Sequence, residues 1–168
     1  MEEINQNSQT SLDFNLDLLK PNNENDLQDA IKYCFKKDLP IEIVGSRTKN
    51  QIGKKLQCAK VLDMSNISGI ILYKPEELYI TVKAGTPIKI VKEELKKNNQ
   101  HLAFEPTNFS EIFNKNSNEG TVGGTLACNF SGPRRFKSGS ARDHILGFKG
   151  FNGKGEKIKS GGTVVKNV

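Results

Sequence analysis

The sequence predicts a mixed α+β chain in two parts that divide near residue 66. Three observations predict it. An amphipathic helix followed by a short apolar strand and a polar loop opens the chain, the alternation from which parallel sheets are built. Beyond residue 66 the pattern changes to paired apolar runs around turn signals, as in hairpins. Residues 120–155 then crowd glycines, small hydroxyl residues and three arginines into one run bracketed by apolar segments.

Residues 1–20 read as a poorly ordered segment with one short strand at 12–16. Asn25 and Gln28 make a capping-box-like start. Leu27, Ala30, Ile31, Cys34 and Phe35 recur at helical spacing and predict a helix over 26–37. A strand at 40–44 ends in Gly45-Ser46-Arg47-Thr48, and a second strand follows at 61–64. Together these make a small α/β unit over 21–66. In the larger α+β part, 67–168, residues 69–73 and 78–83 flank Lys-Pro-Glu-Glu as a hairpin. Thr86 as N-cap with Pro87 at the first helical position opens a helix to about residue 97. Residues 101–104 read as extended, and 107–119 as a loop with a helical turn around Ile112. The loop 120–124 opens a short helix of small residues that runs to about residue 129. Runs 145–151 and 156–159, with Asn152-Gly153 between them as the turn, predict a second hairpin.

Composition narrows the function classes. At 168 residues with 35% hydrophobic content the chain can bury a core. No apolar run approaches the roughly 20 residues of a membrane span, and the acidic, polar residues 1–10 are unlike a secretory signal. Cys34, Cys58 and Cys128 are odd in number and widely spaced. They read as free thiols of a reducing cytosol, with Cys128 a buried spacer, and provide no iron–sulfur or zinc ligand set. The formal charge is +6, yet residues 1–30 hold seven carboxylates against Lys20 alone, so the remainder carries +12. A basic body invites a nucleic-acid reading. Scattered lysines, 7% aromatic content and the absence of any nucleic-acid motif argue against it.

Neither GxGxxG nor the P-loop pattern occurs. Two loops remain as candidate sites. The amides and hydroxyls of residues 45–48, after a buried strand, suit a pyrophosphate or simply a turn. In the run 120–155 closely spaced backbone amides suit a phosphate or the flat edge of a cofactor. Glycines in isolation only make turns, but here glycines, serines and arginines share one run. His101 and His144 are the only histidines and neither sits in a nucleophile–base arrangement, so no catalytic residue is assigned. His144 beside Ile145 reads as structural. Glu105 either positions something in a cleft or is an exposed turn carboxylate. Redox chemistry in such a chain has to come from a bound cofactor.

In order and spacing, the stretches PIEIVGSRTKNQIG (40–53), TVKAGT (81–86), FEP (104–106), GTVGGTL (120–126), SGPRR (131–135), GSARDHILG (139–147) and KNV (166–168) resemble the PCMH-type FAD-binding domain of the vanillyl-alcohol oxidase/p-cresol methylhydroxylase superfamily. Within it the chain resembles the FAD-binding (E) subunit of bacterial glycolate oxidases. The resemblance implies a two-subdomain α+β flavin domain with FAD between the parts. It places Gly45, Ser46, Arg47 and Thr48 at the pyrophosphate, and Gly120, Thr121, Gly123 and Gly124 near the pyrophosphate, ribityl chain or flavin. It places Ser131, Gly132, Gly139, Ser140, Asp143, His144 and Ile145 along the flavin and its nucleotide arm, with Arg134 adding positive charge or pairing with a surface carboxylate. No histidine lies where some relatives attach flavin covalently, which implies non-covalent FAD. Arg47 stands where relatives often have glycine.

The resemblance further implies a 2-hydroxy-acid dehydrogenase subunit, with a second flavoprotein and an iron–sulfur subunit as partners. It implies neither nucleic acid nor a membrane span of its own, and a cytoplasmic location, peripheral to the inner membrane through partners. Relatives continue past residues 166–168 into further flavin-domain structure and a cap domain, so the C-terminal part and the cap are expected to be missing here. Residues that touch substrate would be missing with them. The alternative is a degraded, non-catalytic interaction subunit that no longer binds flavin.

Overall fold

The computed structural model describes residues 12, 14–15, 17–54, 56–113 and 119–163. Strand β1 (Leu18–Leu19) leads to helix α1 (Glu24–Lys36), β2 (Ile41–Val44) and β3 (Lys60–Asp63). These three strands form one parallel sheet in the order β1-β3-β2, with Val44 opposite Asp63. The first strand thus lies later than expected. Phe14 and Asn15 make a turn, and residues 13 and 16 of the expected strand lie outside the described residues.

Helix α1 starts at Asn23 rather than Asn25. The Asn23 Oδ1 accepts the amides of Asn25 and Asp26, both at 2.9 Å, and so satisfies two otherwise unpaired donors of the first turn. The Gln28 side chain plays no part in the cap and donates instead to the Gly155 carbonyl at 2.8 Å. Leu27, Ala30, Ile31 and Cys34 face the sheet and form a core with Leu19 and Leu62. Phe35, expected on that face, is exposed.

Strands β4 (Ile70–Lys74) and β5 (Tyr79–Val82) form the expected antiparallel hairpin around a 3₁₀ turn at Pro75–Glu77. Helix α2 (Ile88–Lys96) buries Ile88, Val91 and Leu95, the i, i+3, i+7 stripe of an amphipathic helix. Its cap position is Pro87, not Thr86. The Thr86 hydroxyl faces backward, accepting the Gly69 amide at 2.9 Å and donating to the Lys83 carbonyl at 2.6 Å.

Residues 101–104 are not a strand, since a turn occupies 103–104 and Glu105 takes a left-handed φ of 49°. Helix α3 (Phe109–Ile112) is the helical turn expected near Ile112, while residues 114–118 lie outside the described residues. Helix α4 (Val122–Cys128) follows the glycine-rich loop, then α5 (Arg135–Ser138) and a 3₁₀ turn at Ala141–His144. Neither α5 nor that turn was expected. The last hairpin pairs β6 (Gly147–Phe151) with β7 (Lys157–Gly161), so its first strand starts later than residue 145. The turn is longer than an Asn-Gly pair would make. Asn152 Oδ1 accepts the amides of Lys154 and Glu156, and Gly155 rather than Gly153 takes the positive φ, 77°. Among the described residues no helix is long and apolar enough to cross a membrane.

Candidate functional site

Strand β2 ends at Val44, so residues 45–48 leave the sheet at the carboxyl end of its parallel strands, the side where open α/β sheets bind ligands. Arg47 adopts a left-handed φ of 53°, which glycine takes freely and other residues adopt at a cost of roughly 1–2 kcal/mol. The departure from a glycine-rich loop is therefore one of residue type, and the backbone makes the bend anyway. The amides of Ser46, Arg47 and Thr48 donate to no acceptor among the described residues.

The second loop packs directly on the first. A Cβ on Gly45 would lie 2.6 Å from Thr121 Oγ1, and one on Gly120 would lie 3.1 Å from Thr48 Oγ1. Thr121 is buried and caps α4 by accepting the Gly124 amide at 3.3 Å. The run is also pinned to the start of α2. Ile88 N donates to the Gly120 carbonyl at 3.0 Å, and Val122 N to the Thr86 carbonyl at 2.9 Å. Gly123 N donates to the Ala84 carbonyl at 2.7 Å, and a Cβ there would meet that oxygen at 3.0 Å. The amides of Val122, Gly123 and Gly124 are thus all engaged within the chain. Thr125, 2% exposed, carries a buried hydroxyl with no hydrogen-bond partner among the described residues.

The third cluster closes the other end of α4. Asn129 ends the helix with a left-handed φ of 51°, and its side chain accepts the Arg142 amide at 2.9 Å. Ser131 Oγ accepts the Ala141 amide at 2.8 Å. Asp143 Oδ2 accepts both the Ser140 amide at 2.7 Å and the Ser140 hydroxyl at 2.8 Å. The Ser140 amide, and then its hydroxyl, hold the Asp143 carboxyl below its usual pKa. His144 Nε2 donates to the Ser138 carbonyl at 2.7 Å, and its ring lies 5.3 Å from that of Phe104. Gly132 donates to the Phe104 and Glu105 carbonyls, and a Cβ there would lie 2.8 Å from Glu105 Cβ. A Cβ on Gly139 would crowd Asp143 at 3.2 Å. Ile145 is half-buried, in extended backbone that leads into β6.

The expected residues therefore fall into two groups at opposite ends of α4, which spans about 10 Å at 1.5 Å per residue. Residues 45–48 and 120–124 share one end, and 131–145 the other. Glu105 staples the 131–135 loop, accepting the Arg134 amide at 3.1 Å and facing its guanidinium at 3.9 Å. Cys128 is exposed rather than buried, and Cys34 is the buried thiol, its pKa raised by burial. The residues 166–168 lie outside the described residues. Sequence reasoning missed Lys49, half-buried with its amine over Gly120 and Gly124. Its only signal was its place directly after the first loop.

A family model described as an FAD binding domain matches residues 17–161. The glycolate oxidase subunit GlcE of Escherichia coli (strain K12) is 36% identical over 142 residues, which are 84% of this chain and 38% of that protein. A D-lactate dehydrogenase of Anaerostipes hadrus is 24% identical over 139 residues, 82% of this chain and 27% of that one. Among solved structures, the grass pollen allergen Phl p 4, with glucose dehydrogenase activity, superposes with a TM-score of 0.69 at 15% identity. It covers 85% of this chain and 28% of its own. An alkyldihydroxyacetonephosphate synthase gives 0.62 at 19% identity, over 79% of this chain and 26% of its own. The chain thus spans less than two-fifths of the length of these curated relatives. It carries part of the PCMH-type fold, and the match along nearly its whole described length means that this chain belongs to the FAD-binding domain family, with FAD as its cofactor.

Proposed function

We propose that the chain is the FAD-holding part of a glycolate-oxidase-type 2-hydroxy-acid dehydrogenase, working in an assembly with a second flavoprotein and an iron–sulfur protein. The observation that carries the flavin part is the interlock of the two loops, Gly45 against Thr121 and Gly120 against Thr48, at the carboxyl end of the parallel sheet. The likeness to GlcE carries the hydroxy-acid part.

The residues present fit the cofactor. Amides at 46–48 with no acceptor among the described residues suit the oxygens of a diphosphate, the buried Thr125 hydroxyl has no partner among those residues, and the second cluster lies one short helix away, which suits an elongated dinucleotide. Residues 45–48, 120, 121 and 124 would hold the diphosphate end. Residues 131, 132, 139, 140 and 143–145 would border the rest, with Ser131, Ser140 and Asp143 fixing the backbone rather than offering free groups. Bound there without a covalent link, FAD supplies the acceptor for the hydride equivalent of a hydroxy acid and returns electrons singly to a partner. Gly123 keeps α4 against Ala84, so its contribution is to set the distance between the loops.

The test is optical. The purified chain, given FAD and passed through a desalting column, is expected to retain flavin absorbance. The same band in the assembly with its partners should bleach when glycolate is added. A folded chain that stays colourless with FAD in excess would instead identify a non-catalytic interaction subunit.

A further inference from the structure

Lys49 follows the first loop, and its ammonium stands beside two glycines of the second. The nitrogen lies 3.4 Å from where a Gly120 Cβ would be and 3.7 Å from where a Gly124 Cβ would be. It also stands 5.5 Å from the centre of the Phe109 ring. A methyl group on Gly124 would only touch the amine at ordinary van der Waals distance, and one on Gly120 would sit at the close limit of such contact. No carboxylate among the described residues pairs with it. Burial lowers its pKa from the usual lysine value, opposed by a smaller effect of Cys128.

An ammonium half withdrawn from water without a counter-charge is unfavourable, and the face of one aromatic ring compensates only in part. Other half-buried lysines have a carboxylate beside them, as Lys92 has Glu119 and Lys60 has Asp17. The loop that Lys49 follows offers donors. The amides of Ser46, Arg47 and Thr48 in the same loop meet no acceptor among the described residues, and Arg47 itself turns through the left-handed region, the backbone bend that gathers successive amides around an anion. The glycine-rich run, by contrast, has already committed the amides of Val122, Gly123 and Gly124. Positive charge and free donors therefore come from the first loop, and the second contributes the absence of side chains.

The geometry points to Lys49 as the residue that pairs with a diphosphate, its ammonium facing the phosphoryl oxygens while the amides of residues 46–48 donate to them. This rests on the reading that the chain holds FAD, whose diphosphate is the group it would meet. ADP carries the same group without flavin.

Calorimetric titration with FAD and with ADP, alongside melting of the ligand-free proteins, tests it on the wild-type chain, Lys49→Met, Lys49→Gln and Lys49→Arg. Loss of one charge-assisted contact should weaken FAD about 10- to 100-fold in Lys49→Met and Lys49→Gln, and ADP by a similar factor. Lys49→Arg should stay within about threefold. The ligand-free Met and Gln variants should melt at or above the wild-type temperature, because a desolvated charge has been removed. Wild-type affinity in the Met and Gln variants overturns the assignment to Lys49 and leaves the flavin reading standing. So does a loss of FAD affinity with ADP unchanged, which would put Lys49 at the flavin end. Weakened binding together with a lowered melting temperature in both variants overturns it too, in favour of a structural role. A folded wild-type chain that binds neither ligand overturns the flavin reading itself.

Discussion

Gly45 shows how a single missing side chain joins two distant loops. A methyl group there would lie 2.6 Å from Thr121 Oγ1 and 2.9 Å from its Cγ2, and Thr121 cannot rotate away without releasing the cap of α4. Gly45→Ala should lower stability by about 1–3 kcal/mol, read as a fall in denaturation midpoint, and weaken FAD retention in parallel. Thr121→Ser, which keeps the oxygen, should leave the cap in place. The need for glycine at 45 was legible in the sequence as a glycine after a buried strand. Its partner was not, because nothing local to residue 45 or 121 records a contact across 76 positions. Lys49 was hidden for a different reason. A half-buried lysine looks the same in sequence as any other of the chain's 25 lysines and arginines, and only the two glycines opposite it set it apart.

Among the elements, those built by repeating apolar positions were legible and those built by side chain–backbone bonds were not. Helix α1 showed itself through Leu27, Ala30, Ile31 and Cys34, and the β4–β5 hairpin through its Lys-Pro-Glu-Glu turn. Helix α5 and the 3₁₀ turn at Ala141–His144 carry no apolar period. Their order comes from Asn129, Ser131, Glu105 and Asp143 accepting backbone amides. These polar residues can serve several backbone conformations equally well, so only the folded partner selects one. The bonds to Asp143 make this element pH-sensitive. Its folded pKa lies below the usual 3.8, so its contribution is complete above pH 3.8 and is lost as pH falls through the lower folded value. Asp143→Ala should raise amide exchange at Ser140 and Ala141 several-fold at neutral pH. In acid below the folded value, wild type and variant should exchange alike.

At the scale of the whole molecule, the change of pattern near residue 66 follows the end of β3 at Asp63, after which the strand pairs among the described residues are antiparallel. What periodicity could not reveal is how the last hairpin returns to the first helix. Phe151 packs against the core made by Leu19, Leu27, Ala30, Ile31, Cys34 and Leu62. Gly155 is buried against α1, where a Cβ would meet Lys32 Cγ at 2.7 Å. Among the described residues the sheets are separate, of three, two and two strands, in a chain that spans 38% of the GlcE it resembles.

The hydrogen bond from Gln28 to Gly155 bridges 127 positions of sequence, and that separation has a kinetic meaning. During synthesis α1 is made well before its contact in the β6–β7 turn, so the first core stays open on one side until the chain has grown through that turn. Contacts of such long span form after the rate-limiting step unless they belong to the nucleus. Gln28→Ala should therefore leave the refolding rate nearly unchanged and speed unfolding about fivefold, the full effect of one hydrogen bond of about 1 kcal/mol falling on that limb. Stopped-flow measurement of both limbs would show it. The same bond that closes the structure in space is a clasp in time, governing how long the folded chain lasts rather than how quickly it forms.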